Sequence, residues 1–412
     1  MSGKLEATDI KQSIMNIGTL GHIDHGKTSL TRAITHIWTD KHSESLKRNM
    51  TIKLGYADAI IRKCPKCEGA AAYTTEEKCK NCGSASIPLM RISLLDAPGH
   101  ETLMATAIAG SSVIDAILFV IAANEPCPMQ QTREHLMIIN LLGIKNVIIV
   151  QSKVDIVGKE GAIKHYKQIK EFVKGSSIEN APVIPVMTNQ GVNVDVLLEM
   201  ITELPKPERD LEADPIMYVV RSFDINKPGS KLSNFSGGVI GGSLKKGILK
   251  LGDRIELRPG ADFEEPGSKK QSYKNIITVI TGISNGYDMM EKAMPGGLIG
   301  ISTEIDPAFT KSDSLVGNLV GHVGKLPESS AKLKVTYYPI ERKDIPSQKI
   351  KENELLLMGI GTATVIGYAK AIKKSSLEVE LKNPVCAEKG VRIAVLRNAS
   401  KRWRLAGYGL IE

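Results

Sequence analysis

Gly21-His22-Ile23-Asp24-His25-Gly26-Lys27-Thr28 follows an apolar run at residues 14–20 and precedes a segment with helical apolar spacing, Leu30, Ala33, Ile34 and Ile37. The stretch has the form G-x-x-x-x-G-K-[ST] in a strand–loop–helix context. Glycines let backbone N–H groups face a polyphosphate, the lysine reaches the terminal phosphates, and the hydroxyl ligates Mg²⁺. The expected phosphate contacts are therefore Asp24, His25, Gly26, Lys27, Thr28 and Ser29, with Thr28 also on the magnesium.

Downstream, residues 38–51 have neither a helical nor a strand period and read as a loop. Thr51 opens an alternating run at 51–61, a junction where its hydroxyl would complete a Mg²⁺ shell when a γ-phosphate is present. The run 92–95 leads into Asp96-Ala97-Pro98-Gly99-His100. Asp96 is expected to hold Mg²⁺ through water, the Gly99 N–H to sense the γ-phosphate, and His100 to orient the attacking water as the catalytic residue; hydrolysis would release both loops.

A strand at 117–123, a helix at 130–142 and a strand at 146–150 lead to Gln151-Ser152-Lys153-Val154-Asp155. This looks like the guanine-reading Asn-Lys-x-Asp pattern with Ser152 in the asparagine's place. Asp155 would accept from the N1 and exocyclic amino groups of guanine, which adenine cannot donate. Such a site discriminates by about 10⁴-fold or more, because the wrong base leaves buried polar groups unpaired. The shorter Ser152 would forfeit about 1 kcal/mol of hydrogen bonding. After a strand at 183–186, the N–H of Thr188 is placed to touch the base oxygen. Alternating strands and helices from 14 to 204 imply a mostly parallel, doubly wound sheet with the nucleotide at its strands' carboxyl ends.

Six cysteines occur, four of them as Cys64, Cys67, Cys79 and Cys82 in a C-x₂-C-x₁₁-C-x₂-C spacing. Two such knuckles fit tetrahedral thiolate ligation of Zn²⁺, and four protein ligands leave no open catalytic position; the competing readings are a redox pair and a knuckle that has lost its metal. At 412 residues the chain exceeds one ordinary core, and three domains are expected. With 42% hydrophobic and 24% charged residues, no membrane-length apolar stretch and a polar N-terminus, it reads as a cytoplasmic protein without a membrane partner. The net charge of +9 permits an anionic partner. Residues 341–412 hold 14 Lys and Arg against 8 Asp and Glu, a local balance of +6.

Beyond the proline-bearing stretch 204–215, short apolar runs at 216–220, 237–240, 248–251, 254–257, 276–280 and 297–301 alternate with glycine and proline turns, as in a β-barrel. A break near 324–328 precedes further runs at 332–338, 354–359, 376–381 and 391–396, a second barrel. The reading is thus an α/β P-loop GTPase domain with a zinc-knuckle insertion, followed by two β-barrel domains. Its bounds are 1–13 for a flexible N-terminus, 14–207 for the GTP-binding domain with the knuckle at 62–85, 208–326 for the first barrel and 327–412 for the second. Trp403, among Arg397, Lys401, Arg402 and Arg404, either stacks on nucleic acid or closes the barrel.

Taken together, the cradle, Trp38-Thr39-Asp40-Lys41-His42-Ser43-Glu44, Thr51-Ile52-Lys53-Leu54-Gly55-Tyr56, Asp96 to His100, Ala123-Asn124-Glu125-Pro126-Cys127-Pro128, Arg221-Ser222-Phe223-Asp224-Ile225-Asn226-Lys227-Pro228-Gly229 and Trp403-Arg404-Leu405 resemble the gamma subunit family of archaeal and eukaryotic translation initiation factor two. The resemblance covers the chain from about residue 14 onward. It implies a GTPase, slow without an activating partner, that binds GTP and GDP with Mg²⁺ and carries Zn²⁺. It further implies delivery of initiator methionyl-tRNA to the small ribosomal subunit, in a heterotrimer with alpha and beta subunits. Departures from the family pattern are Asn49, Ser152, Met187 and Thr188. The competing readings are an elongation-type carrier of aminoacyl-tRNA and a non-hydrolysing scaffold with a weakened guanine pocket.

Overall fold

Strands buried on both faces read as near-continuous apolar runs, and three segments of the chain are of that kind, with their few polar side chains buried too. In the computed structural model, which describes residues 10–39, 55–96, 111–226, 236–264, 271–340, 349–373, 375–399 and 402–412, β1 (Met15–Leu20) is buried throughout. Helix α1 (Lys27–Thr35) follows it, then β2 (Gly55–Lys63), β3 (Tyr73–Thr74), β4 (Ile87–Asp96) and β5 (Ala116–Ala122). The unit continues with α2 (Gln130–Leu142), β6 (Val147–Ser152), α3 (Val154–Val173, interrupted at Gly158), β7 (Val183–Val186) and α4 (Val194–Glu203). Like β1, β5 and β6 are fully buried.

The sheet order is β3-β2-β4-β1-β5-β6-β7. Strands β4, β1, β5, β6 and β7 run parallel, whereas β2 and β3 are antiparallel additions at one edge. Ile17, Leu94, Leu118 and Val150 from the parallel strands pack with Leu30 and Ile34 of α1 and Leu197 and Ile201 of α4 in one core. This packing brings the carboxyl ends of β1, β4 and β6 to the same edge, where Leu20, Asp96 and Ser152 terminate their strands. The four cysteines lie on the β2–β3–β4 side, between Lys63 and Ile87.

Backbone contacts divide the chain into two compact units, the second made of the residues from Glu208 onward together with a short stretch that ends at Val113. The second is all β in its regular strands. Ile216–Phe223, Val239–Lys246, Arg254–Glu264, Gln271–Ser284, Ile299–Thr303 and Leu319–His322 form an antiparallel sheet that closes on itself, because Arg254–Glu264 pairs with both Leu319–His322 and Gln271–Ser284. Ser329–Pro339, Leu355–Ile360, Ala363–Lys373, Ser376–Cys386, Arg392–Ala399 and Arg402–Ile411 close a second barrel. Each has its own aliphatic core. Two barrels were expected, but the strands outrun the apolar runs that announced them: Gln271–Ser284 extends both ways from 276–280. Only alternate residues of a barrel strand face the core, so its ends need not look apolar. Ala363–Lys373 escaped the sequence reading because it also presents Ile366, Tyr368 and Ile372 outward, which blurs the alternation.

Trp403 lies on Arg402–Ile411, which pairs on one side with Arg392–Ala399 and on the other with Ser329–Pro339, the pairings that close the barrel. Among its basic neighbours, Arg397 is buried and makes a two-point contact with Glu354, Nε to Oε1 and Nη2 to Oε2; Arg404 is buried too.

Where the chain leaves the first barrel, Glu256 accepts from Arg258 Nε (2.8 Å), Asn275 Nδ2 (2.9 Å) and the Gly324 N–H (2.9 Å). Arg258 Nη1 in turn donates to the carbonyls of Leu326 and Pro327. Because Glu256 is buried, removing it strands a guanidinium and two further donors. Glu256→Ala is expected to destabilise the second unit by about 3–5 kcal/mol. The two tryptophans, Trp38 and Trp403, fall one in each unit, so Trp403 fluorescence during urea unfolding of a Trp38→Phe background checks this.

Candidate nucleotide-binding site

The cradle owes its path to a few backbone conformations. A Cβ on Gly21 (φ +148°) would lie 2.2 Å from the Val120 carbonyl oxygen, so only glycine lets the chain turn this close to β5. Gly26 adopts the left-handed region (φ +90°) as the residue immediately before α1, and Asp24 shares it (φ 59°). The loop thus enters a helix N-terminus, where backbone N–H groups and the helix dipole favour a phosphate. Lys27 Nζ donates to the carbonyls of Gly21 (3.0 Å) and His22 (2.7 Å), bridging the loop. Burial brings its pKa down to about 8, and the charges of Asp96 and Asp24 oppose that fall.

Asp96, wholly buried at the end of β4, gathers three hydroxyls. Thr28 Oγ1 donates to Oδ2 at 2.6 Å, Thr39 Oγ1 to Oδ2 at 3.0 Å and Thr19 Oγ1 to Oδ1 at 3.1 Å. Burial raises its pKa, while the hydroxyls and the Lys27 charge pull the other way. Thr28 and Asp96, predicted as magnesium-holding residues from positions 68 apart, are in direct contact, and a hydroxyl beside a carboxylate is an oxygen donor set suited to Mg²⁺. Thr39, which the sequence marks only as part of the family-like stretch 38–44, was not expected as a site residue; the fold brings it to Asp96. Thr51, Gly99 and His100 lie outside the described residues.

At the end expected to read the base, Ser152 closes β6, Lys153 is left-handed (φ 56°) and caps the start of α3, and Asp155 stands exposed in that helix's first turn. Thr188 is half-buried in the turn after β7. The Ser152 hydroxyl donates to the His25 carbonyl at 2.6 Å. The ring of His25 points inward, its Nδ1 3.1 Å from the Val120 carbonyl and its Nε2 3.2 Å from Glu125 Oε2, and burial takes its pKa down to about 4. Its phosphate-facing capacity is therefore that of its backbone. The Val120 carbonyl can only accept, so Nδ1 carries the ring's proton and donates to it. Glu125, too, was invisible as a site residue in sequence. Gln131 of α2 braces the loop from another side, accepting from the Ile23 N–H at 3.4 Å.

The Sγ atoms of Cys64, Cys67, Cys79 and Cys82 all lie within 4.8 Å of one another, with Cys64–Cys82 at 3.4 Å and Cys67–Cys79 at 3.7 Å. Metal–sulfur bonds of about 2.3 Å in a tetrahedron demand sulfurs roughly 3.8 Å apart, so the cluster fits such an ion. Gly83, next to Cys82, is left-handed (φ +70°) and donates its N–H to the Cys79 carbonyl, which closes the second knuckle.

Residues 12–207 match the family described as the elongation factor Tu GTP binding domain, and residues 331–411 that described as initiation factor eIF2 gamma, C terminal. Translation initiation factor 2 subunit gamma of Methanothermobacter thermautotrophicus is 49% identical over 407 residues, covering 97% of this chain and 99% of that one. Its counterpart in Pyrococcus furiosus is 48% identical over 413 residues, 99% of each. Among solved structures, a bacterial selenocysteine-specific elongation factor, EF-Sec, superposes with a TM-score of 0.73 at 25% identity over 97% of this chain, which spans 58% of that protein's length. Translation elongation factor SelB from Methanococcus maripaludis, in complex with the GTP analogue GppNHp, gives 0.72 at 22% identity over 98% of this chain and 79% of that one.

His135 of α2 is fully buried beneath the cradle, and burial, aided by the nearby charges of Lys27, His25 and His22, lowers its pKa to about 3. The folded chain keeps it neutral where the unfolded chain protonates it. Stability is therefore lost as pH falls below 6.5, at up to about 1.4 kcal/mol per pH unit. Between pH 7 and pH 5 this residue alone is expected to cost the first unit about 2 kcal/mol. Trp38 fluorescence in a Trp403→Phe background during urea unfolding checks this, and His135→Gln should flatten the acid slope.

Proposed function

Because the chain belongs to the translation initiation factor 2 subunit gamma family and is a translation initiation GTPase, we propose that it is the GTP-dependent carrier of initiator methionyl-tRNA to the small ribosomal subunit. The observation that supports this most is the direct contact of Thr28 with Asp96, since it joins the phosphate cradle to the strand that leads into a second nucleotide-sensing loop. In this reading the N–H groups from Asp24 to Ser29 hold the phosphates, and Lys27 exchanges the Gly21 and His22 carbonyls for phosphate oxygens. Asp155 accepts from the guanine edge, beside Lys153, and the Thr188 N–H meets the base oxygen. Thr28, Thr51 and Asp96 hold Mg²⁺, which supplies charge neutralisation to the phosphates. The Gly99 N–H senses the γ-phosphate and His100 orients the attacking water. Hydrolysis is slow without an activating protein.

The proposed units are the nucleotide domain to residue 207, a barrel to 326 and a barrel to 412. Alpha and beta subunits complete a heterotrimer that works in the cytoplasm. Cys64, Cys67, Cys79 and Cys82 hold one structural Zn²⁺, consistent with sulfurs already at tetrahedral separations.

Filter binding with the partner subunits present is expected to show tighter retention of methionyl initiator tRNA with a non-hydrolysable GTP analogue than with GDP, and tighter than elongator tRNA. Equal retention of the two tRNAs would sink the carrier reading. Elemental analysis of chelator-free protein is expected to give one zinc per chain; Cys79→Ser should lose it while GDP affinity stays within about twofold, because four thiolates contribute structure and no open site.

A further inference from the structure

The hydroxyl of Thr39 reaches Asp96 from a part of the chain that belongs neither to the cradle nor to β4. Helix α1 ends at His36, which is left-handed (φ 61°) and donates its N–H to the Arg32 carbonyl, and the Ile37 N–H donates to Thr35 Oγ1 at 3.2 Å. Two residues later Thr39 stands half-buried with Oγ1 3.0 Å from Asp96 Oδ2. Strand β2 makes room for it. Its first residue, Gly55, is the register partner of Asp96, and a Cβ there would lie 3.0 Å from the Thr39 Cβ and 3.3 Å from the Thr39 carbonyl oxygen. Thr39 therefore meets the end of β4 and the start of β2 at once.

An ionised carboxylate offers about four acceptor positions. Thr28 and Thr39 occupy both on Oδ2, and Thr19 occupies one on Oδ1. The terminal torsion of an aspartate has no sharp preference of its own, so its partners decide which way the carboxylate faces. Here they come from β1, from α1 and from the segment after α1. Partners of this kind commonly set the strength of a metal site, and losing one costs about 10–100-fold in metal affinity.

We propose that Thr39 is a positioning residue for Mg²⁺: through its hydroxyl it fixes the Asp96 carboxylate in the orientation that holds the ion, without contacting ion or nucleotide. This rests on the reading of Thr28 and Asp96 as magnesium-holding residues. The bond goes to the carboxylate and not to the cradle, so binding of the phosphates in the absence of metal does not draw on it. Gly55 is part of the same arrangement, because a side chain there would press on Thr39 from the neighbouring strand.

The test follows release of a fluorescent analogue, N-methylanthraniloyl-GDP, against Mg²⁺ concentration on the full chain and its variants, and measures the affinity of the same analogue in EDTA. Thr39→Val, which keeps the shape and loses the hydroxyl, is expected to raise the Mg²⁺ concentration that half-slows release by about 10-fold, with the affinity in EDTA unchanged to within about twofold. Thr39→Ser, which keeps a hydroxyl, should return the requirement to within about twofold of the original. If the valine variant does not fold, Gly55→Ala crowds Thr39 with its hydroxyl retained and should raise the requirement as well. The proposal is overturned if the Mg²⁺ requirement stays the same, which leaves the contact idle, or falls, which makes the hydroxyl an obstacle to the ion. It is equally overturned if affinity in EDTA drops as far as affinity in Mg²⁺, which makes Thr39 a support of the fold alone. Asp96→Asn tests the underlying reading separately. If it leaves the Mg²⁺ requirement where it was, Asp96 does not hold the ion, whatever the Thr39 series shows.

Discussion

A carboxylate sealed from water at the end of a buried parallel strand has to find its donors inside the protein, and Asp96 is that group. It draws hydroxyls from β1 through Thr19, from the first turn of α1 through Thr28, and from the chain beyond α1 through Thr39. Those three contacts set the cradle against the sheet. Lys27 supplies the compensating charge and at the same time bridges two carbonyls of its own loop. A site assembled in this way already presents clustered oxygen donors, a lysine and a helix N-terminus at one sheet edge. Phosphate chemistry needs such groups prearranged, since positioning and electrostatics carry most of its catalysis.

The all-β half solves a different problem. A barrel removes exposed sheet edges by closing on itself, and here closure depends on strands that pair on both sides: Arg254–Glu264 in one barrel and Arg402–Ile411 in the other. Buried charge is handled by saturation. Glu256 and Glu354 each meet a guanidinium, and Arg258 extends the arrangement to carbonyls of the segment leaving its barrel. The C-terminal basic stretch is therefore partly internal. Arg397 is spoken for by Glu354, which weakens a reading of the whole run 397–404 as a nucleic-acid clamp.

Legibility in the sequence follows the distance over which each feature is built. The cradle is eight consecutive residues whose chemistry is local, and its strand–loop–helix context is written in apolar spacing on either side. The cysteine pairs are equally local, each closing its own knuckle. Thr39 and Glu125 are the opposite case: their partners lie 57 and 100 positions away, and neither residue type nor period distinguishes them from surface polar residues. Strand lengths were underestimated for a related reason, because a barrel strand's outward residues answer to no periodic demand once the inward ones are satisfied.

The amino-acid sequence by itself determined the class of chemistry, the order of the domains, the thiolate cluster and the family resemblance, since each depends on residue types at short, countable spacings. Only the tertiary structure decided what those residues do to one another. It turned the ring of His25 inward, brought Thr39 onto Asp96, sent the proton of Ser152 to a cradle carbonyl and buried Arg397 against Glu354. The reason is physical: buried polar groups must be paired, and which partner each one finds depends on how strands far apart in the chain lie side by side.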